Sequence, residues 1–330
     1  MERYLGVDIG GTSSAVVVGT RDGDVLDRVG FSTQTDRGPD YALDLISRHV
    51  ADLALAHGNN LAAAGISCGG PLDPDSGLVR SPPNLPGWDE VAISRIVTRA
   101  LDAGGVREIP VSLRNDADAG ALAERRFGAG AGSTSMAFLT FGTGIGAGLI
   151  LDGRLYKGST GIAGEIGHVR VAKDGPSNYG KAGSFEGYCS GSGIERLATI
   201  IAATRVASGD TVEWYKPDER GEAEVTPSVA ELAGFARRGD AAATEVFSLS
   251  GQFLGRGCAM LIDLLNLDTI VIGSVYVRCR DLLEEPMQRE VEAEALPSAA
   301  ARCRIAGAEL GESIGDVASL CAAMDGVRDG

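Results

Sequence analysis

The chain has 330 residues, 44% apolar and 23% charged, a balance that suits two globular domains each large enough to bury its own core. Its formal net charge of −15 argues against nucleic acid and anionic membrane as partners. The N-terminal MERYLGVDIGG enters an apolar strand at once, with no signal peptide, and no apolar run approaches the roughly 18 residues of a bilayer span. A cytoplasmic protein is therefore expected.

In chain order, residues 4–8, 14–19 and 25–31 read as three short strands joined by tight turns, a β-meander. Residues 41–56 carry apolar side chains at helical spacing. A strand at 64–67 runs into Gly69-Gly70-Pro71, followed by a Pro-rich loop over 73–90 and a helix over 91–103. A strand at 111–113 leads to a helix over 116–126. The pattern then restarts: strands at 136–141 and 147–151 flank a turn at 142–146. Residues 156–192 are Gly-rich and irregular, and the acidic stretch 213–224 reads as a solvated loop. Helices are expected at 193–204, 228–238, 241–265, 280–294 and 313–324, with strands at 269–272 and 302–306. The six cysteines, Cys68, Cys189, Cys258, Cys279, Cys303 and Cys321, lack any C-x-x-C pair and read as free buried thiols.

An internal repeat organises this reading. YLGVDIGGTSSAVVV and MAFLTFGTGIGAGLIL share one form, strand, Gly-rich turn, strand. Two copies of one half-fold suggest two domains with a cleft between them.

Five motifs carry candidate chemistry. In Asp8-Ile9-Gly10-Gly11-Thr12, glycine N–H groups can approach phosphate oxygens, and Asp8 can hold magnesium directly or through water. The same residues also read as a plain hairpin turn. Phe141-Gly142-Thr143-Gly144-Ile145-Gly146 contains a weak dinucleotide fingerprint, which requires a helix directly after the turn. A strand is expected there instead, so the turn reads as a second phosphate loop with Thr143 as an extra donor. Asn115-Asp116 opens a helix and reads both as an N-cap and as a platform for a catalytic carboxylate. In Gly164-Glu165-Ile166-Gly167-His168, followed by Glu186, the carboxylates and imidazole suit sugar hydroxyls, although His168 also reads as a structural histidine. Pro83-Asn84-Leu85-Pro86-Gly87-Trp88 is a Pro-bounded loop able to aim the Asn84 amide at a polar ligand.

Together with I-V-I-G at 270–273, these motifs in this order resemble the ROK family of bacterial sugar kinases and related repressors, over nearly the whole chain. The resemblance implies an α/β, actin-like ATPase fold of two ribonuclease-H-like domains. It places the smaller domain at 1–117 plus 311–330 and the larger at 118–310. It implies sugar contacts from Gly70, Asn84, Asn115, Asp116, Glu165, His168 and Glu186. Asp8, Gly10, Gly11, Thr12, Gly142, Thr143, Gly144 and Gly273 would serve ATP and magnesium. The implied reaction is ATP-dependent phosphorylation of a hexose, glucose at its 6-hydroxyl, with Asp116 as general base. N-acetylmannosamine or N-acetylglucosamine is the alternative substrate, and a homodimer is the expected assembly. A repressor would need a winged helix before the first phosphate motif, where only seven residues stand; a non-catalytic sensor would have no use for Asp116.

Three positions depart from the family pattern. Where the family carries zinc-binding C-x-C-G-x-x-G-C-x-E, this chain has Ser177, Tyr179 and Ser184 in the cysteine positions and keeps Glu186. No zinc site is expected. Tyr179 and Phe185 would anchor the loop, with Ser177 and Ser184 bonded to backbone. The family's V-P-G-P turn is Cys68-Gly69-Gly70-Pro71 here, and its Gly-Gly near the adenosine is Gly273-Ser274.

Overall fold

The first strand, Arg3–Ile9, is apolar and buried over most of its length because it runs through the middle of a sheet. A computed structural model describes residues 2–178, 180–218 and 226–327, and the statements below concern these. The chain divides into two units. Unit 1 comprises Met1–Gly132, Leu155–Ala163 and Glu309–Gly330; unit 2 comprises Ser133–Arg154 and Gly164–Ala308.

In unit 1, β1 (Arg3–Ile9), β2 (Ser13–Thr20) and β3 (Val25–Ser32) form the expected meander. Helix α1 (Pro39–His57) leads to β4 (Leu61–Cys68), and the 73–90 loop holds a small hairpin, β5 (Leu72–Asp73) and β6 (Leu78–Val79). Helix α2 (Ile93–Ala103), β7 (Val111–Asn115) and α3 (Asp116–Phe127) follow. The sheet order is β3-β2-β1-β4-β7, antiparallel at the β1–β3 side and parallel from β1 to β7. One face packs on α1 and α2 through Ile46, Val50, Val97 and Leu101. The closing helix Ile314–Gly326 covers the other through Leu320, Ala323 and Met324.

Unit 2 repeats the plan. Strands β8 (Met136–Phe141), β9 (Ile145–Leu151) and β10 (Arg154–Leu155) precede an irregular segment. This segment contains the hairpin β11 (Ser177–Asn178) and β12 (Lys181–Ala182) and the short helix α4 (Phe185–Tyr188). Helices α5 (Gly191–Ala207), α6 (Val229–Arg237) and α7 (Ala241–Leu265) lead to β13 (Thr269–Ile272). Then come α8 (Ser274–Arg278), α9 (Arg280–Glu294), α10 (Pro297–Ala300) and β14 (Arg304–Gly307). The sheet order β10-β9-β8-β13-β14 matches that of unit 1, with an antiparallel β8–β9 pair and parallel β8–β13–β14. The repeat seen in the sequence is therefore a repeat of topology.

The boundary differs from the one expected at residue 117. Helix α3 packs Ala119 and Ala123 on Val317, Ala318 and Cys321 of the closing helix, so it stays with unit 1. Leu155–Ala163 also belongs there. The acidic stretch is not simply solvated: Trp214 and Tyr215 are buried, while 219–224 lie outside the described residues. All six cysteines are free thiols; five are buried and Cys303 is half-buried. Among the described residues no helix is long and apolar enough to cross a membrane.

Candidate active site

The parallel strands of unit 1 bring three motifs to one edge. In register, Asp8 lies beside Ser67, Ile9 beside Cys68, and Cys68 beside Asn115. The chain leaves β1 into the Gly10-Gly11-Thr12 turn, β4 into Gly69-Gly70 and β7 into α3. Ligand sites in open α/β sheets lie outside the carboxyl ends of the strands, and this is that edge. The loop bearing Asn84 joins them. Leu85 and Trp88 are fully buried, 0% and 1% exposed, which anchors the loop and leaves Asn84 exposed. A Cβ on Gly11 would stand 2.5 Å from the Asn84 carbonyl oxygen, and one on Gly69 would stand 3.0 Å from Asn84 Oδ1. Glycine at both positions is thus a condition of this convergence. The Gly70-Pro71 peptide is cis.

The structure shows the N-cap at Asn115 and an exposed carboxylate at the helix start beside it. Asn115 Oδ1 accepts the Asp118 N–H at 2.6 Å, the N-cap bond of α3. Asp116, the first helical residue, is exposed, and its Oδ1 accepts the Ala117 N–H at 2.9 Å. The cap fixes the helix start, and the helix start presents the carboxylate.

Asp8 sits in a crowded acidic environment. Burial, then the charges of Asp316 and Asp116, push its carboxyl up to about 6 against the pull of a Ser67 hydrogen bond and Arg28. Gly315 lets the closing helix approach this carboxylate, since any side chain there would overlap Asp8 Oδ2. Arg28 is bound to Asp316 at 2.7 Å. Gly315, Asp316 and Arg28 were not singled out in the sequence. Their only signal is a small residue and an acid at a helix start, which is too common to point to a site.

Asp118 was also missed. It is 4% exposed, its Oδ1 has no hydrogen-bond partner, and burial pushes its carboxyl up to about 7 despite the nearby Arg114 and Lys157. The native state therefore holds a proton between the ordinary value of 3.8 and about 7 that the unfolded chain has lost. With more protons bound when native, stability falls as pH rises across that window, by up to about 1.4 kcal/mol per unit. Asp118→Asn is expected to raise the melting temperature relative to the parent at pH 8, with a smaller gain at pH 5. Thermal scans at both values check this; a pH-independent difference would contradict it.

In unit 2 the turn after β8 is followed by β9 and not by a helix, which excludes the dinucleotide fingerprint. Gly142 N–H bonds Gly144 O at 3.0 Å, and Gly191 N–H, at the start of α5, bonds Gly142 O at 2.7 Å. Thr143 is exposed, while its carbonyl accepts the Ser192 hydroxyl at 3.1 Å. Gly273 follows β13, its N–H bonded to Leu139 O at 2.8 Å, and the Ser274 hydroxyl donates to Phe141 O at 3.0 Å. The departure to Ser274 thus adds a tie to the end of β8.

Glu186 reaches the same turn. Its Oε2 accepts the Ile145 N–H at 2.9 Å, and its Oε1 accepts from the Asn178 amide. Glu165 and His168 are exposed, with His168 Nε2 3.9 Å from Glu165 Oε2. The loop bearing these residues is held by packing. Phe185 is fully buried, Ser184 Oγ accepts the Gly187 N–H at 3.2 Å, and Tyr188 stacks on Phe253 at 3.7 Å. Ser177 is exposed, and Tyr179 lies outside the described residues. These residues do not fit zinc. Serine hydroxyls replace the thiolates, and the thiol of Cys189 is buried, pushed well up by burial, and donates to Ser250 O at 3.4 Å.

Residues 4–322 match the model of the ROK family. A glucokinase of Halalkalibacterium halodurans is 31% identical, over 94% of this chain and 92% of its own length. A ROK hexokinase from Thermus thermophilus superposes with a TM-score of 0.79 at 28% identity, covering 99% of this chain and 100% of the other. A ROK family glucokinase from Streptomyces griseus, solved with glucose and AMPPNP, gives 0.73 at 28% identity, covering 99% and 100%. The fold is the actin-like ATPase fold of these sugar kinases. By its motifs, its duplicated topology and the extent of these matches, the chain belongs to the ROK family.

Proposed function

We propose that this protein transfers the γ-phosphoryl group of ATP to a hexose, glucose at its 6-hydroxyl, with Asp116 as general base. The observation that carries the reading is the placement of an exposed carboxylate on a capped helix start, at the strand edge that also carries Asn84 and the Gly10-Gly11 turn. The similarity to glucokinases, one of them solved with glucose and AMPPNP, supports the substrate pair.

In this reading Asn84, Asn115 and Gly70 orient sugar hydroxyls around Asp116, which accepts the proton of the attacking hydroxyl. Phosphoryl transfer passes through a loose transition state, so positioning and charge matter more than base strength. The 10–12 and 142–144 turns hold phosphate oxygens through backbone N–H groups, and Gly273 borders the nucleotide. Glu165, His168 and Glu186 bind hydroxyls, with Glu186 steadied by Ile145 and Asn178. Magnesium fits Asp8, a hard carboxylate in an excess of negative charge, and when bound it neutralises the triphosphate. Water-mediated contact suits a carboxylate this enclosed.

A panel of hexoses and N-acetylhexosamines with ATP, scored by ADP release, tests the substrate. Glucose should give the highest kcat/KM; preference for an N-acetylhexosamine would move the reading to that substrate class. We further propose that no zinc is required. Elemental analysis should give well under one zinc per chain, and a chelator should leave the melting temperature unchanged; stoichiometric zinc would refute this. Freed from metal, His168 serves the sugar, and His168→Ala should raise the glucose KM more than it lowers kcat.

A further inference from the structure

Five backbone N–H groups converge on one residue of the base helix. Glu124 is 0% exposed. Its carbonyl accepts from Gly128 and Gly130, both at 3.0 Å. Its Oε2 accepts the Ala129 N–H at 2.8 Å, and its Oε1 accepts those of Glu309 at 3.1 Å and Leu310 at 3.0 Å. A longer bond at 3.3 Å joins Glu309 N–H to Oε2.

The two segments so gathered are special in the chain. Unit 1 first gives way to unit 2 after Gly132, returns over Leu155–Ala163, and resumes for the last time at Glu309. The carboxylate therefore ties together, within unit 1, the segment where the chain first leaves and the segment where it finally returns. It does so from the same helix that begins with Asp116. Burying a carboxylate is costly unless its oxygens are well supplied with donors. Glutamine could not substitute equally, because its amide would turn a donor towards one set of N–H groups. Gly128 completes the arrangement: a Cβ there would overlap Glu124 Oε2.

We infer that Glu124 is a positioning residue for phosphoryl transfer, a clamp that fixes both connecting segments to the helix carrying the base. The inference rests on the reading of Asp116 as that base. A clamp of this kind keeps the helix in one place while the chain on either side of 133–308 moves or strains. Loss of the clamp then misplaces Asp116 without removing any sugar contact.

The test uses the full chain as Glu124→Gln and as Gly128→Ala, which displaces the carboxylate by a second route should the first variant fold poorly. Backbone amide exchange and glucose phosphorylation are measured beside the parent and Asp116→Asn. The amides of Ala129, Glu309 and Leu310 should exchange at least about 10-fold faster in both variants. The kcat per folded molecule should fall at least about 10-fold, with the glucose KM within about 3-fold. Unchanged exchange at these amides overturns the clamp. Faster exchange with unchanged kcat leaves Glu124 a purely structural residue and overturns the positioning role. Near-normal turnover in Asp116→Asn would instead sink the reading of the base, while the exchange result would still judge the clamp.

Discussion

Asp116→Asn should lower kcat by about 100-fold or more, the usual scale of acid–base catalysis and about 2.7 kcal/mol of barrier. The fold should survive. The side chain is exposed, and the bond from the Ala117 N–H to Oδ1 can be made equally by an asparagine carbonyl. The Asn115 cap of α3 uses a different side chain and remains. Glucose affinity should stay within a few-fold, because the amide keeps an acceptor and loses only the ability to take the proton. Steady-state kinetics with a direct binding measurement separates the two effects. Near-normal turnover in a folded variant removes Asp116 from the mechanism.

Gly65→Ala should be the most damaging single methyl in unit 1. Gly65 lies on β4 under the closing helix, where a Cβ would overlap Ala323 N and Ser319 O and come within 2.8 Å of Ala322 C. These are backbone atoms, so the helix as a whole must lift off the sheet. Overpacking a core costs about 1–3 kcal/mol when side chains can adjust, and more when they cannot. A loss of about 3 kcal/mol or more in chemical denaturation is expected. Gly142→Ala makes the opposite signature. A Cβ there meets nothing within 4 Å, so stability should hold while the ATP KM rises, the methyl standing where a phosphate oxygen would approach. A stable Gly65→Ala would mean that helix and sheet are less closely packed than described.

What the sequence made legible follows from how local each signal is. The strand–turn–strand form at 4–18 and 136–151 is written in apolar runs and glycines, and both copies appear with the same sheet order. The long helix at 241–265 has its ends where the sequence placed them, and the structure adds the Asp240 side chain as its cap. The Asn115 cap was legible because a cap is a local motif, an Asn directly before the first helical residue. Asp118 was not, because its meaning lies in its burial. Glu124 and Asp316 were not, because their meaning lies in partners far along the chain: Glu124 binds Leu310, and Asp316 binds Arg28. The boundary near residue 117 failed for the same reason. Nothing between 116 and 127 announces that its partner is the closing helix, some 200 residues later. Trp214 and Tyr215 were misread because flanking charge hid two aromatic side chains that the core takes in.

As proposed, this chain makes a sugar phosphate by consuming ATP. The most direct measurement is phosphorus NMR of the full chain with magnesium, ATP and glucose, beside Asp116→Asn. Glucose 6-phosphate and ADP should appear together in equal amounts, and the variant should form both far more slowly. ADP released without a matching sugar phosphate, or a product formed equally by the variant, would contradict this.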